Sequence, residues 1–378
     1  MSFELAAGAL LGTLGLFPAT AEIIRVPADQ PTIQQGIDVA SARDTVLVAP
    51  GTYVENISVS GKSVTLASKF AHTRDIRDVR RTIIDGSGGT AVISLRSTTE
   101  KHMLIEGFTI RNGLDGISVN SGVRLTHCVI QRCGDGIDFQ TGGHGLCAEN
   151  IFELNTDDGI DLDGSARVKA IGNLIRDNDD DGIEIRLHPY AGELLLTQIS
   201  WNTIIGNGED GIQLIDYPDT TDRAFLIERN VITDNDMAGL GCMSNGNSNE
   251  SYEGASIPEP IYFIHNIVDG NEYGVTGGDQ MIAANNIIIN NATLGMKNID
   301  GASIVTHSAF WKNGQDLEQC NTRASTLIFS NPGIDSTYRL VEDSPCIDAG
   351  HPRAKPDPDN SNADIGVYFF DQGTPPGS

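Results

Sequence analysis

The stretch "NIFELNTDDGIDLDG", Asn150–Gly164, carries two signals that recur along the chain. Its first part has the form Asn-x-apolar-x-x-Asn, which returns as "NLIRDN" from Asn173, "NTIIGN" from Asn202, "NVITDN" from Asn230, "NIVDGN" from Asn266 and "NIIINN" from Asn286. "CVIQRC", Cys128–Cys133, holds the same register one repeat earlier, which predicts that both cysteines are buried thiols on a stacked interior ladder. The second part is a Gly opening an alternating strand, seen in turn as "DGISV", "DGIDF", "DGIDL", "DGIEI", "DGIQL" and the degenerate "AGLGC" and "YGVTG". These glycines are residues 116, 136, 159, 182, 211, 239 and 274. Short strands at that spacing, without helical periodicity, read as a β-solenoid in which each repeat is one coil and equivalent residues stack.

On these residues the chain resembles the right-handed parallel β-helix proteins of the pectate-lyase-like type. The resemblance runs from about Glu22 to Asn331 and includes the opening segment "VPADQPTIQQGIDVASARDTVLVAPGTYVENI". Pro31–Ala40 reads as a short helix, and the resemblance implies that it closes the N-terminal end of the solenoid, otherwise an exposed sheet edge. The tail, with "SPCIDAGHP" and "DPDNSNADIGVYFF", resembles the closing segment of secreted bacterial β-helix proteins. The expected organisation is an all-β right-handed parallel β-helix over residues 22–331, with an N-terminal capping helix and a closing segment over 332–378. That scaffold hosts lyases, hydrolases, esterases, epimerases and non-catalytic proteins, so function has to be argued from a site.

Charge narrows the choice. The chain has 378 residues, 25 Lys+Arg against 51 Asp+Glu, and a formal net charge of −26. That field repels nucleic acid and anionic membranes at long range. It repels an acidic polysaccharide too, unless a bound cation or a local basic patch neutralises the contact. Residues 1–21 read as a secretory signal, with an apolar run from Leu5 to Phe17 and Ala19-Thr20-Ala21 as the cleavage pattern, although the first basic residue is Arg25. The expectation is a secreted or cell-surface monomer with no membrane insertion after signal removal. Export would permit disulfides among the six cysteines, with Cys320 and Cys346 the first pair to test.

Catalytic motifs are incomplete. "TIQQGIDVA" with "PGTYVENI" is similar to the start of pectin methylesterases, whose later motifs are missing. "NTDDGID" is similar to the Asn-Thr-Asp-Gly motif of polygalacturonases and places Asp158, with Asp180 or Asp181 one coil on, as the carboxylates of an inverting hydrolase. The following coil carries Glu209-Asp210-Gly211 where that family has His-Gly. Asp115, Asp135, Asp158, Asp181 and Asp210 each precede a Gly, where Asp accepts hydrogen bonds from turn amides, so a corner requirement explains them all.

Strand alternation instead turns Ile160 and Leu162 inward and Asp161 and Asp163 outward. Stacking on the glycines gives one outer column of Ser118, Asp138, Asp161, Glu184 and Gln213, and a second of Gln140, Asp163, Arg186 and Ile215. With coils about 4.8 Å apart, Asp138, Asp161, Asp163 and Glu184 crowd on one face, a set of oxygen ligands suited to Ca²⁺, or else a solvated acidic stripe. Insertions after Gly182, Gly211 and Gly239 leave the same side of consecutive coils. They bring Arg186, His188 and Tyr190 as catalytic candidates and Tyr217, Arg223 and Tyr252 as substrate-binding ones. β-Elimination or C5 epimerisation of a uronate polymer would use a cation on the carboxylates, Arg186 or His188 as base and Tyr190 as proton donor. A glycoside hydrolase and a non-catalytic carbohydrate-binding or cell-surface solenoid stay open beside it.

Overall fold

The computed structural model describes residues 21–96, 102–217, 221–244, 252 and 257–373; the expected signal lies outside them except for its last residue. Three parallel sheets of 12, 11 and 11 strands wind around one core. The first begins at Ile23–Val26. The second is made of the Asn-x-apolar segments, such as Ile151–Glu153 and Leu174–Arg176. The third holds the Asp-Gly strands Asp135–Phe139, Ile160–Leu162, Ile183–Arg186 and Ile212–Ile215. This is the expected parallel β-helix.

Inward alternation builds the core. Ile117, Ile137, Ile160, Ile183, Ile212, Leu240 and Val275 are register partners in succession through the third sheet, and none is more than 1% exposed. Each such side chain contributes about 1.5–3 kcal/mol of burial. Gly159 shows why the strand opens on glycine: a Cβ there would lie 2.6 Å from both the Gly182 carbonyl oxygen and Ile175 Cγ2.

Both asparagines of each repeat are used, giving two ladders that flank the second sheet. In one, the side-chain amide of Asn150 donates to Asn173 Oδ1 at 3.0 Å, Asn173 to Asn202 at 2.9 Å and Asn202 to Asn230 at 3.0 Å. In the other, Asn155 donates to Asn178, Asn178 to Asn207 and Asn207 to Asn235 at 2.8–2.9 Å. The residue before each ladder position turns the chain through the left-handed region, as at Glu149 (φ 56°), Leu154 (φ 57°) and Trp201 (φ 59°). Cys128 and Cys133 head the two ladders as buried free thiols whose amides donate to Asn150 and Asn155 Oδ1.

The N-terminal helix is Ile33–Val39, capped by Thr32, whose Oγ1 accepts from the Gln35 amide at 3.1 Å; Ile33 and Ile37 are buried. Two short helices, Phe70–Thr73 and Ile76–Arg81, were not legible in the repeat. They seat Phe70 and Val79 against Val129 and Ile151 of the second sheet. Farther along the same sheet, the tail packs Leu340, Cys346, Ile365 and Val367 over Val231, Ile267, Ile287, Ile289 and Ala309. Cys320 and Cys346 are free thiols in two different hydrophobic clusters, so the disulfide first singled out for testing does not form. Among the described residues no helix is long and apolar enough to cross a membrane.

Candidate functional site

The outward column of the third sheet has the register the glycine spacing predicts. Ser118 pairs with Asp138, Asp138 with Asp161, Asp161 with Glu184 and Glu184 with Gln213, while Arg186 pairs with Ile215. The four expected metal ligands do not form one cage. Asp138, Asp161 and Asp163 bring carboxylate oxygens within 4.8 Å of one another, and Asp158, Asp161 and Glu184 form a second such triad. Asp161 belongs to both, and Asp158 is a member that strand alternation alone did not reach. Two further triads, Asp135 with Asp157 and Asp158, and Asp180 with Asp181 and Glu209, extend the acidic face at the corners.

Burial and mutual repulsion favour the protonated forms. Burial pushes the Asp138 carboxyl up to about 6, against a hydrogen bond from Gln140 and with Asp115 and Asp163 adding to the rise. Asp161 is pushed up to about 9 by burial and then by Glu184 and Asp163, and Asp135 to about 7 by burial and Asp157. Asp138 Oδ1, Asp161 Oδ1 and Asp163 Oδ1 are buried without a hydrogen-bond partner. Three hard oxygen donors this close together are a set that one Ca²⁺ can take as part of its coordination.

The corner aspartates form a ladder of their own. Asp158 Oδ1 accepts from the Asp181 amide at 2.9 Å, Asp181 Oδ1 from the Asp210 amide at 2.7 Å, and Asp210 Oδ1 from the Ala238 amide at 2.6 Å. Asp158 and Asp181 are 4% and 1% exposed. As hydrolase carboxylates they would have to act from these buried positions, with Oδ1 of each held by the ladder.

The insertion residues divide. Arg186 holds Glu184 at two points, with Nε 2.7 Å from Oε2 and Nη2 2.8 Å from Oε1. Burial favours its neutral form, but the contact with Glu184 and the charges of Asp161 and Asp163 outweigh this and raise its pKa. Arg186 is thus the charge partner of Glu184. His188 stays half-exposed over the first triad, its Nδ1 3.7 Å from Asp163 Oδ1 and 3.3 Å from the Gly164 amide, with its ring 4.5 Å from that of Tyr217. Tyr190 donates its hydroxyl to the Glu193 carbonyl at 3.1 Å.

Arg223 and Tyr252 are not on the surface. Arg223, 3% exposed, donates to the carbonyls of His188 and Gly164 and lies over the Tyr190 ring. Tyr252, 5% exposed, donates to Asp210 Oδ1 at 2.5 Å. Both were expected to bind substrate; both instead fix the insertions to the coils. An insertion has no repeat to say which of its faces is inward, which is why the sequence pointed them outward.

The family described as right handed beta helix region matches residues 71–197. No curated protein matches the chain. Among solved structures, the A-module of the mannuronan C-5 epimerase AlgE6 of Azotobacter vinelandii is 15% identical, with 77% of this chain and 94% of that one covered at a TM-score of 0.51. Pectate lyase Pel9A is 12% identical, covering 93% and 97% at 0.49. The catalytic unit of a GH87 alpha-1,3-glucanase from Streptomyces thermodiastaticus is 15% identical, covering 87% and 69% at 0.46. At such identities the likeness is one of fold, and the chain is a right-handed parallel β-helix protein.

Proposed function

We propose that the third-sheet face binds an acidic polysaccharide through Ca²⁺ and catalyses β-elimination or C5 epimerisation of its uronate units outside the cell. The observation that carries this reading is the carboxylate triad of Asp138, Asp161 and Asp163, each of which also has a buried oxygen without a hydrogen-bond partner. Those residues would hold the ion, with Asp158 and Glu184 beside them. Bound there, Ca²⁺ would neutralise the substrate carboxylate and acidify the C5 proton. His188, poised over Asp163, is the proton acceptor of this reading, taking the proton on Nδ1 by giving up the hydrogen bond it accepts from the Gly164 amide. Arg186 keeps Glu184 in place and offers a guanidinium beside the triads to a substrate carboxylate. Tyr190 would donate to O4 by giving up its bond to Glu193. The structural neighbour AlgE6 is a mannuronan C-5 epimerase, in keeping with this reading.

A second reading is favoured by the engagement of Arg186, Tyr190, Arg223 and Tyr252 in contacts within the protein: a carbohydrate-binding solenoid without turnover. Incubation with a panel of uronate polymers, with Ca²⁺ or with chelator, separates the two. Chelator-sensitive absorbance from unsaturated ends supports the lyase. Reducing ends without absorbance point to a hydrolase, and retention of polymer without either product points to the binding solenoid.

A further inference from the structure

Part of the outer face of the first sheet is basic, against the overall charge of the chain. It carries an open groove of about 630 Å³ lined by Arg124, Arg167, Lys169, His102 and His144 together with apolar residues that include Leu194 and Leu196, and among the described residues no acidic one lines it. The strands explain the grouping. Gly122 lies between His102 and His144 in the register, and with no side chain there the two rings meet edge to face, centroids 4.9 Å apart. The next coil sets Arg167 beside His144 and Lys169 beside Leu146, whose other neighbour is Arg124. Arg124 and Lys169 are thus two coils, about 10 Å, apart.

Arg124, Arg167 and Lys169 are exposed, and among the described residues no carboxylate pairs with them. The insertion after Gly182 supplies Leu194, 62% exposed, and leads into Leu196, 41% exposed. The column through Lys169 and Gln198 continues to Leu226, Tyr262 and Ile282, of which Tyr262 and Ile282 are 43% and 42% exposed. Cations spaced along exposed apolar side chains fit a polymer whose anionic groups alternate with the apolar C–H faces of sugar rings. A small anion would leave the leucines and Tyr262 unused.

We propose that this groove is a second binding face, independent of any metal, for an extended anionic glycan. The proposal shares with the third-sheet reading only the class of ligand, and a chelator separates the two, because this face binds through fixed side-chain charges. Binding of sodium polygalacturonate, chondroitin sulfate and neutral dextran is measured in excess EDTA at low and high salt. Polygalacturonate or chondroitin sulfate is expected to bind, and the affinity is expected to fall as salt screens the contact. Joint replacement Arg124→Gln, Arg167→Gln and Lys169→Gln is expected to weaken binding at least tenfold with the melting curve unchanged, since the three side chains hold nothing else. Lys169→Gln alone is expected to weaken it a few-fold, and Asp161→Asn to leave it unaltered. Absence of binding in EDTA, equal binding of dextran, or wild-type affinity in the triple variant overturns the proposal.

Discussion

Asp161 sits where two carboxylate triads meet, and a side chain in that position is costly to the fold unless a cation is bound. Its carboxyl is pushed up to about 9 because burial and then Glu184 and Asp163 oppose its charge. Asp161→Asn is therefore expected to weaken Ca²⁺ binding at least a hundredfold by calorimetry and to raise the melting temperature of the metal-free protein by a few degrees, about what 1 kcal/mol gives in a domain of this size. A variant that loses stability without losing Ca²⁺ affinity would make Asp161 a scaffold residue. Asp158 gives the opposite contrast. Asp158→Asn keeps an acceptor for the Asp181 amide and is expected to retain both fold and turnover, whereas Asp158→Ala leaves that amide unpaired at a cost of about 1–3 kcal/mol in denaturant unfolding. Loss of turnover in a stable Asp158→Asn protein would make its carboxylate part of the working site, and reducing ends without absorbance from the unaltered protein would make that work hydrolysis.

At the scale of the element, the coils were readable from sequence because each position is held by a repeated requirement. Gly159 has no room for a Cβ, and Asn202 both accepts from Asn173 and donates to Asn230. The outer column from Ser118 to Gln213 followed from counting from the glycines, since a parallel register carries one coil's alternation into the next. Insertions carry no such repeat. Arg223 and Tyr252 looked like exposed ligands for a substrate and are buried struts, and Phe70–Thr73 with Ile76–Arg81 gave no periodic signal. The ladder also predicts its own energetics. Asn202→Ala leaves the Asn173 amides, Asn230 Oδ1 and the Ala170 carbonyl short of a partner, and is expected to cost at least about 3 kcal/mol at about 1–3 kcal/mol for each buried unsatisfied group. Denaturant unfolding checks this; a loss below about 1 kcal/mol would show that the ladder is ornamental to stability.

For the whole molecule, charge decides behaviour. The chain carries a net charge of −26, with acidic triads on the third sheet, while the first sheet presents Arg124, Arg167 and Lys169. The raised carboxyls of Asp138 (about 6), Asp135 (about 7) and Asp161 (about 9) mean that the folded state holds more protons than the unfolded one above the ordinary carboxylate value of 3.8. Their contribution to stability is then fully present below about pH 4 and is lost as pH rises towards 9. Without metal, the melting temperature is expected to fall across that window. Ca²⁺ is expected to restore it most at the alkaline end and to release protons on binding. A Ca²⁺ effect that is the same at pH 5 and pH 8 would mean that the ion does not act on these groups.

The central claim is that this acidic face removes the C5 proton of a uronate. Nuclear magnetic resonance of a uronate polymer incubated with the protein in D₂O follows that proton directly, because elimination and epimerisation both abolish its signal. The signal is predicted to disappear with Ca²⁺, to persist with chelator, and to persist with the Asp161→Asn protein. A C5 signal that survives incubation with Ca²⁺ on every uronate polymer tested, while the polymer still binds, would contradict it.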